Sequence, residues 1–322
     1  MKILIAGGAG YIGSVLVPHL LNRDYEVTVL DLMWFGNHLP AKTTTIERDI
    51  FDLKEEDLKG YDQVIFLAGL SNDPMADYAP GQNFIHNGAG PAYLGYLAKR
   101  AGVQRYIYAS SCSVYGYTSN ELYNEESPTV SNYPYGISKL LGERAAMQMV
   151  DDDFSVICLR QGTVSGYSPR MRLDVCVNTM FRYAMADRMI TVNNPAIWRP
   201  ILGIQDAATA YIRSIEAHMG LSGIFNVASG NYTLGEIGDI VKSVIEEGLQ
   251  TEIGLTIKHV HDLRNYKVSI DKAREFLSFK PTHGVPSIVQ NLIANKDRFS
   301  DFENPKYYQL ETFKALNEQQ GG

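Results

Sequence analysis

Three glycines constrain this chain more than any other feature. Gly7, Gly10 and Gly13 lie in GGAGYIGS, directly after the apolar run KILIA and directly before an amphipathic stretch. Strand, glycine loop and helix in that order make a turn where backbone can approach an anion. One glycine permits the tight turn, the next admits a pyrophosphate, and the third lets helix pack on strand. The helix N-terminus that follows presents free N–H groups and the positive end of its dipole. In a chain with 28 glycines the spacing alone is a weak signal, and its context strengthens it. The next run, EVTVL, ends at Asp31, where a carboxylate accepts hydrogen bonds from a ribose and repels a 2′-phosphate. The loop, with Tyr11 and Ile12 between its glycines, is expected to hold NAD rather than NADP.

Short β-branched runs alternate with longer helical patterns over the first half, which predicts an α/β class with a Rossmann-type, doubly wound parallel sheet. Strands are expected over residues 2–6, 26–30, 63–67, 104–110 and 155–159, and helices over 12–22, 90–101 and 135–149. After about residue 165 the pattern breaks into loops over 168–174 and 193–200 and a helix near 206–217. The expected organisation is an NAD-binding domain over 1–165 with a return segment at about 196–219. A smaller C-terminal substrate-binding lobe takes 166–195 and 220–300 and sends one strand back to the main sheet. The tail from 296 is expected to be irregular, with 301–322 a C-terminal extension.

A formal charge of -7 argues against a general nucleic-acid binder. An anionic small substrate must then be held by a few local arginines. Cys112, Cys158 and Cys176 have neither disulfide-framework nor zinc-site spacing, so free thiols and no metal are expected. The first residues lack a signal-peptide pattern, and no apolar run approaches the roughly 20 residues that span a bilayer, so a cytoplasmic location is the default expectation.

Tyr135 and Lys139 stand four apart in YGISKLLGE, on one face of a helix. With 20 tyrosines such a pair arises by chance, and position gives it meaning. Upstream, YIYASSCSVYG ends a strand with Ser110, Ser111 and Ser113, and open α/β sheets bind ligands at the carboxyl ends of their strands. The glycine loop, the SSxxVYG-like segment and the YxxxK helix, in that order, resemble the extended short-chain dehydrogenase/reductase family over nearly the whole chain. The resemblance implies that Tyr135 is the general acid/base, that Ser111 orients the substrate oxygen, and that Lys139 holds the nicotinamide ribose while its charge lowers the tyrosine pKa. It also implies cofactor contacts from Asp49 and Ile50, from Leu67, Ala68 and Gly69, and from Asn87.

Within that family the chain looks like the sugar-nucleotide epimerase and dehydratase group. Arg199 lies seven residues before Asp206 in RPILGIQD, and by resemblance it grips the substrate diphosphate, with Asn178 and Arg264 also on the nucleotide. Arginine suits this because its planar fork binds two phosphate oxygens at once. Thr163 and Ser165 depart from the family's Asn and Tyr. In the SPRMRLD run that follows, Arg170 and Arg172 are candidates for further phosphate or sugar contacts. Where 4,6-dehydratases carry an Asp-Glu pair, this chain has Cys112 and Ser113, which speaks against dehydration. The leading expectation is an NAD-dependent C4 epimerase of a nucleotide-diphosphate sugar, forming a homodimer through the 90–101 and Tyr135 helices. The alternatives are a one-way C4 dehydrogenase or 4-ketoreductase using the same residues, or a non-catalytic NAD-binding sensor or scaffold.

Overall fold

The computed structural model describes residues 1–260 and 264–320. Asp262 and Leu263 of the DLRNYKVSIDKA segment, and Gly321 and Gly322 of the tail, lie outside them. At the centre is a parallel sheet of seven strands in the order Gly223–Val227, Ser155–Gln161, Arg105–Ser111, Gln63–Phe66, Lys2–Ala6, Glu26–Asp31 and Thr44–Glu47. The inner strands Gln63–Phe66, Arg105–Ser111 and Ser155–Gln161 are buried throughout. Runs such as the VIF of Val64, Ile65 and Phe66 are therefore continuously apolar rather than alternating. On one face Val15 and Leu16 of helix Gly13–Leu21 and Ala207 and Tyr211 of helix Ile204–Glu216 share a core with Ile5, Ile65 and Ile107. On the other, Leu94 and Ala98 of helix Gly90–Arg100 and Ala146 of helix Pro134–Met147 share one with Phe66, Tyr106 and Tyr108. Strand order reverses between Lys2–Ala6 and Gln63–Phe66, and at such a switch point the connections part and leave a crevice.

Outside the sheet domain lies a further apolar core, the second core, which includes Val177, Phe181, Ile190, Ile201, Ile237 and Val289 beyond the carboxyl ends of the sheet. Helices Cys176–Asp187, Leu234–Leu249 and Val285–Asn295 build it. Strands Trp198–Gly203, Gly230–Thr233 and Thr163–Ser165 form a small sheet of their own, as do the pairs Met189–Asn193 with Gly254–Lys258 and Tyr117–Tyr123 with Asn265–Val268. No helix among the described residues is long and apolar enough to cross a membrane.

Several expectations need correction. Thr44–Glu47, not foreseen as a strand, has all four residues exposed at the sheet edge and so carries no apolar signature. The expected loop over 193–200 is shorter, because Met189–Asn193 runs into it and Trp198–Gly203 out of it, each satisfied by a small sheet. The strand that the 220–300 stretch sends back to the main sheet is Gly223–Val227, and Ile270, Ala273, Leu277 and Phe279 also pack into the main core. We therefore propose that both stretches move from the smaller lobe to the sheet domain. The tail is not irregular: Gln309–Gln320 is a helix, with Phe313 packed among Leu70, Met75 and Trp34.

Candidate active site

A cleft of about 1270 Å³ opens along the carboxyl ends of the strands, and Gly7, Gly10, Tyr11, Ile12 and Asp31 line one end of it. Gly7 has φ +79°, and a Cβ there would fall 2.4 Å from the Ala68 nitrogen. At Gly13, behind the loop, a Cβ would fall 2.2 Å from the Gly8 carbonyl oxygen. Only glycine allows the backbone to fold this tightly under a ligand. Asp31 closes the loop from the neighbouring strand, Oδ2 accepting from the Ala9 N–H (3.0 Å) and Oδ1 from the Met33 N–H (2.9 Å). A carboxylate has about four acceptor sites, so capacity remains for ribose hydroxyls. Burial pushes its pKa up, opposed by those N–H groups and the charge of Arg170. Asp49 caps the turn Ile50–Asp52 by accepting from the Phe51 N–H (2.9 Å), and it lines the cleft with Ile50, Leu67, Ala68 and Gly69. This glycine cradle with a carboxylate at its rim fits a dinucleotide.

Ser111 ends its strand and Tyr135 lies in the first turn of helix Pro134–Met147; both line the cleft, and the Ser111 hydroxyl is near enough to act on the Tyr135 phenol. Burial and then Asp73 push the Tyr135 phenol well above its ordinary pKa, while Arg172 and the Ser111 hydroxyl pull it down. Lys139 is buried, its Nζ donating to the Ala109 carbonyl at 2.9 Å and lying 5.9 Å from the Tyr135 ring centroid. Burial lowers its pKa to about 8. Arg172 is a cation that holds the phenol down in this structure, beside the role that the family resemblance implies for Lys139. Behind the pair, Glu143 of the same helix accepts from Arg160 Nη2 (2.7 Å) and Nε (2.9 Å) and from the Ser110 hydroxyl (2.7 Å), joining helix to strand ends.

Asn87 and Asn178 are not in the cleft wall. Asn87 sits in the π-turn Ile85–Ala89 and donates to the Leu70 carbonyl and Asn83 Oδ1, both at 2.7 Å. The Asn178 amide bonds on both sides. Its Oδ1 accepts from the Gly166 N–H, and its Nδ2 donates to the Tyr11 hydroxyl, the Gly166 carbonyl and the Arg172 carbonyl. It bolts the second core to the glycine loop and is itself fully buried. Asp206 likewise serves the fold, accepting from Ser229, Thr282 and His283.

Arg199 lines the cleft 5.6 Å from the Tyr266 ring, and Arg264 lines it 5.4 Å from the Tyr133 ring, in an ion pair with Asp73. Asp73 and Tyr266 both bear on the Tyr135 phenol, so these arginines stand near the reacting end. Arg172 binds Asp174 (2.8 Å) and Ser71 (2.9 Å), with Nη2 unpartnered. Arg170 instead lies 3.6 Å over the Phe35 ring and within electrostatic reach of Asp31, at the dinucleotide end.

Thr163 lines the cleft, whereas Ser165 is buried. Cys112 points its thiol at the Arg160 carbonyl (3.1 Å), and Ser113 faces the cleft beside the Tyr266 hydroxyl (3.3 Å). A carboxylate from another part of the chain reaches the site: Asp73, whose Oδ1 is buried without a partner among the described residues. Its only local sign is structural, since Asn72 before it holds φ +85°, which the sequence does not reveal. Gln161, with an unpartnered buried Oε1, was also missed, although its place at a strand's carboxyl end could have indicated it.

Residues 3–228 match the model of the NAD dependent epimerase/dehydratase family. The chain belongs to that family. The UDP-glucose 4-epimerase of Corynebacterium glutamicum is 27% identical, covering 94% of this chain and 97% of that one. UDP-glucuronic acid decarboxylase 3 of Arabidopsis thaliana is 29% identical over 87% of this chain and 84% of its own. Among solved structures, MoeE5 in complex with UDP-glucuronic acid and NAD superposes with a TM-score of 0.81 at 25% identity, covering 92% of this chain and 99% of that one. The protein is thus an NAD-dependent enzyme of the sugar-nucleotide epimerase/dehydratase family on a Rossmann-type sheet.

Proposed function

We propose that this family member is a C4 epimerase of a nucleotide-diphosphate sugar, working through a transient 4-keto intermediate. The observation that supports this best is one cleft that holds Ser111 and Tyr135 together, with a dinucleotide cradle at one end and Arg199 and Arg264 near the pair. The Tyr135 oxygen takes the proton of the sugar 4-hydroxyl as C4 becomes a carbonyl, and returns it after reduction on the opposite face. Ser111 holds the oxygen at C4 throughout. Lys139 holds the nicotinamide ribose, while Arg199 and Arg264 keep the diphosphate fixed as the sugar turns. When bound, NAD supplies the hydride acceptor and donor. Asp73, with an oxygen free of protein partners, accepts a hydrogen bond from another sugar hydroxyl.

UDP-sugars are the first substrates to try, because the relatives are named for them. Purified protein should convert one member of a nucleotide-sugar panel to its C4 epimer with no net change in NADH absorbance. Stoichiometric NADH formation or consumption would replace this reading by the one-way dehydrogenase or ketoreductase.

We propose a homodimer as well. Ile85, Tyr96 and Leu141 are exposed apolar residues on neighbouring turns and helices, a pattern that suits burial against a second copy.

A further inference from the structure

Arg170 is buried, 2% exposed, yet among the described residues its Nε and Nη2 have no hydrogen-bond partner. Its Nη1 reaches only the Met171 carbonyl, at a long 3.4 Å. Stacking on Phe35 fixes the guanidinium plane without neutralising it. Of the nearby carboxylates, Asp174, paired with Arg172 at 2.8 Å, and Asp31, bonded to two backbone N–H groups, act on Arg170 through charge, and neither is hydrogen-bonded to it. A buried cation with unsatisfied donors is costly to hold. An anion entering the cleft would supply both the charge and the acceptors.

The surroundings indicate which anion. Phe35 and Asp31 follow the second strand and border the glycine loop, whereas Arg199 and Arg264 stand with Tyr266, Tyr133 and Asp73 around Tyr135. The stretch that carries Arg170 is pinned to the glycine loop itself: Ser168 Oγ donates to the Tyr11 carbonyl at 2.7 Å, and the Tyr11 hydroxyl donates to the Gly166 carbonyl at 2.5 Å. A ligand diphosphate on the loop therefore meets backbone N–H groups from below and a guanidinium from the second core.

We infer that Arg170, stacked on Phe35, binds the diphosphate of the NAD cofactor, so that the second core as well as the sheet domain retains the dinucleotide. The inference rests on NAD lying along the glycine loop and is independent of the sugar or the position of the chemistry. It moves Arg170 from the substrate to the cofactor.

The test compares wild type, Arg170→Met and Arg199→Met, each stripped of nucleotide, by calorimetric titration with NAD and with UDP and by thermal unfolding. Arg170→Met should weaken NAD by about 10-fold or more, the size of a lost charge-assisted hydrogen bond, and leave UDP affinity unchanged. Arg199→Met should do the reverse. The melting temperature of stripped Arg170→Met should equal or exceed that of wild type, because a buried unpaired charge is gone; an arginine with a merely structural role would lower it. If Arg170→Met does not fold, Arg170→Lys carries the same comparison, with an effect on NAD of the same sign and smaller size. Unchanged NAD affinity, a loss confined to UDP, or tighter binding of NADP than NAD by wild type would overturn the inference. Arg170-dependent NAD binding in a protein that epimerises no sugar would leave it standing and remove the C4 reading instead.

Discussion

A phenol acts as a base only when something stabilises its anion, and the neighbours of Tyr135 pull both ways. Burial and Asp73 oppose ionisation, while Arg172 and Ser111 favour it. Tyr135→Phe keeps the ring and removes the proton carrier. Turnover should fall by about 10²- to 10⁴-fold with NAD and UDP binding intact; loss of nucleotide binding as well would mean that the residue shapes the site rather than moves the proton. Lys139 allows a test by pH. Burial holds it at about 8, below the ordinary lysine value of about 10.4. Between these values the unfolded chain binds the extra proton, so this residue's contribution to stability rises with pH across that window and is lost as pH falls through about 8. Lys139→Met should therefore raise the melting temperature of cofactor-free protein most below about pH 8, with the gap closing toward about pH 10. A gap that widens with pH would contradict this. Tyr135 and Ser111 were legible in the sequence because a strand end and a helix start carry them. Asp73 and Arg172 were not legible as neighbours of that tyrosine: Asp73 meets Arg264 across 191 residues, and no local period marks either.

At the scale of elements, one buried ion pair holds the reacting groups in register. The Arg160 and Glu143 side chains are 4% and 1% exposed, so Glu143→Ala leaves a guanidinium uncompensated rather than merely removing an attraction. It should cost about 3–5 kcal/mol in chemical denaturation, and Glu143→Gln less. A loss below about 1 kcal/mol would place the clamp elsewhere. The strands that carry this clamp were readable because parallel strands buried on both faces give unbroken apolar runs. Thr44–Glu47 was not, being wholly exposed. Nor was the tail helix Gln309–Gln320, whose composition is polar and whose anchor, Phe313, meets its partners only in the folded chain.

The whole molecule is a sheet domain, with a core on each face, and the second core across the cleft from it, tied by Tyr11, Gly166 and Asn178. The sheet domain was visible in the sequence as a repeated strand-helix rhythm. The second core is assembled from segments far apart in the chain, and its edges could not be drawn from local pattern. Association belongs to this scale too. Light scattering at micromolar concentration should give a dimer mass, and Tyr96→Glu with Leu141→Glu should give a monomer; a monomeric wild type would exclude the paired-helix surface. The central claim, oxidation and re-reduction at C4 within one active site, is tested most directly with a nucleotide sugar carrying deuterium at C4, turned over in ordinary water. The account predicts a C4 epimer that retains its deuterium at C4 in full; an epimer bearing protium there, or a keto sugar released with its deuterium on free NADH, would contradict it.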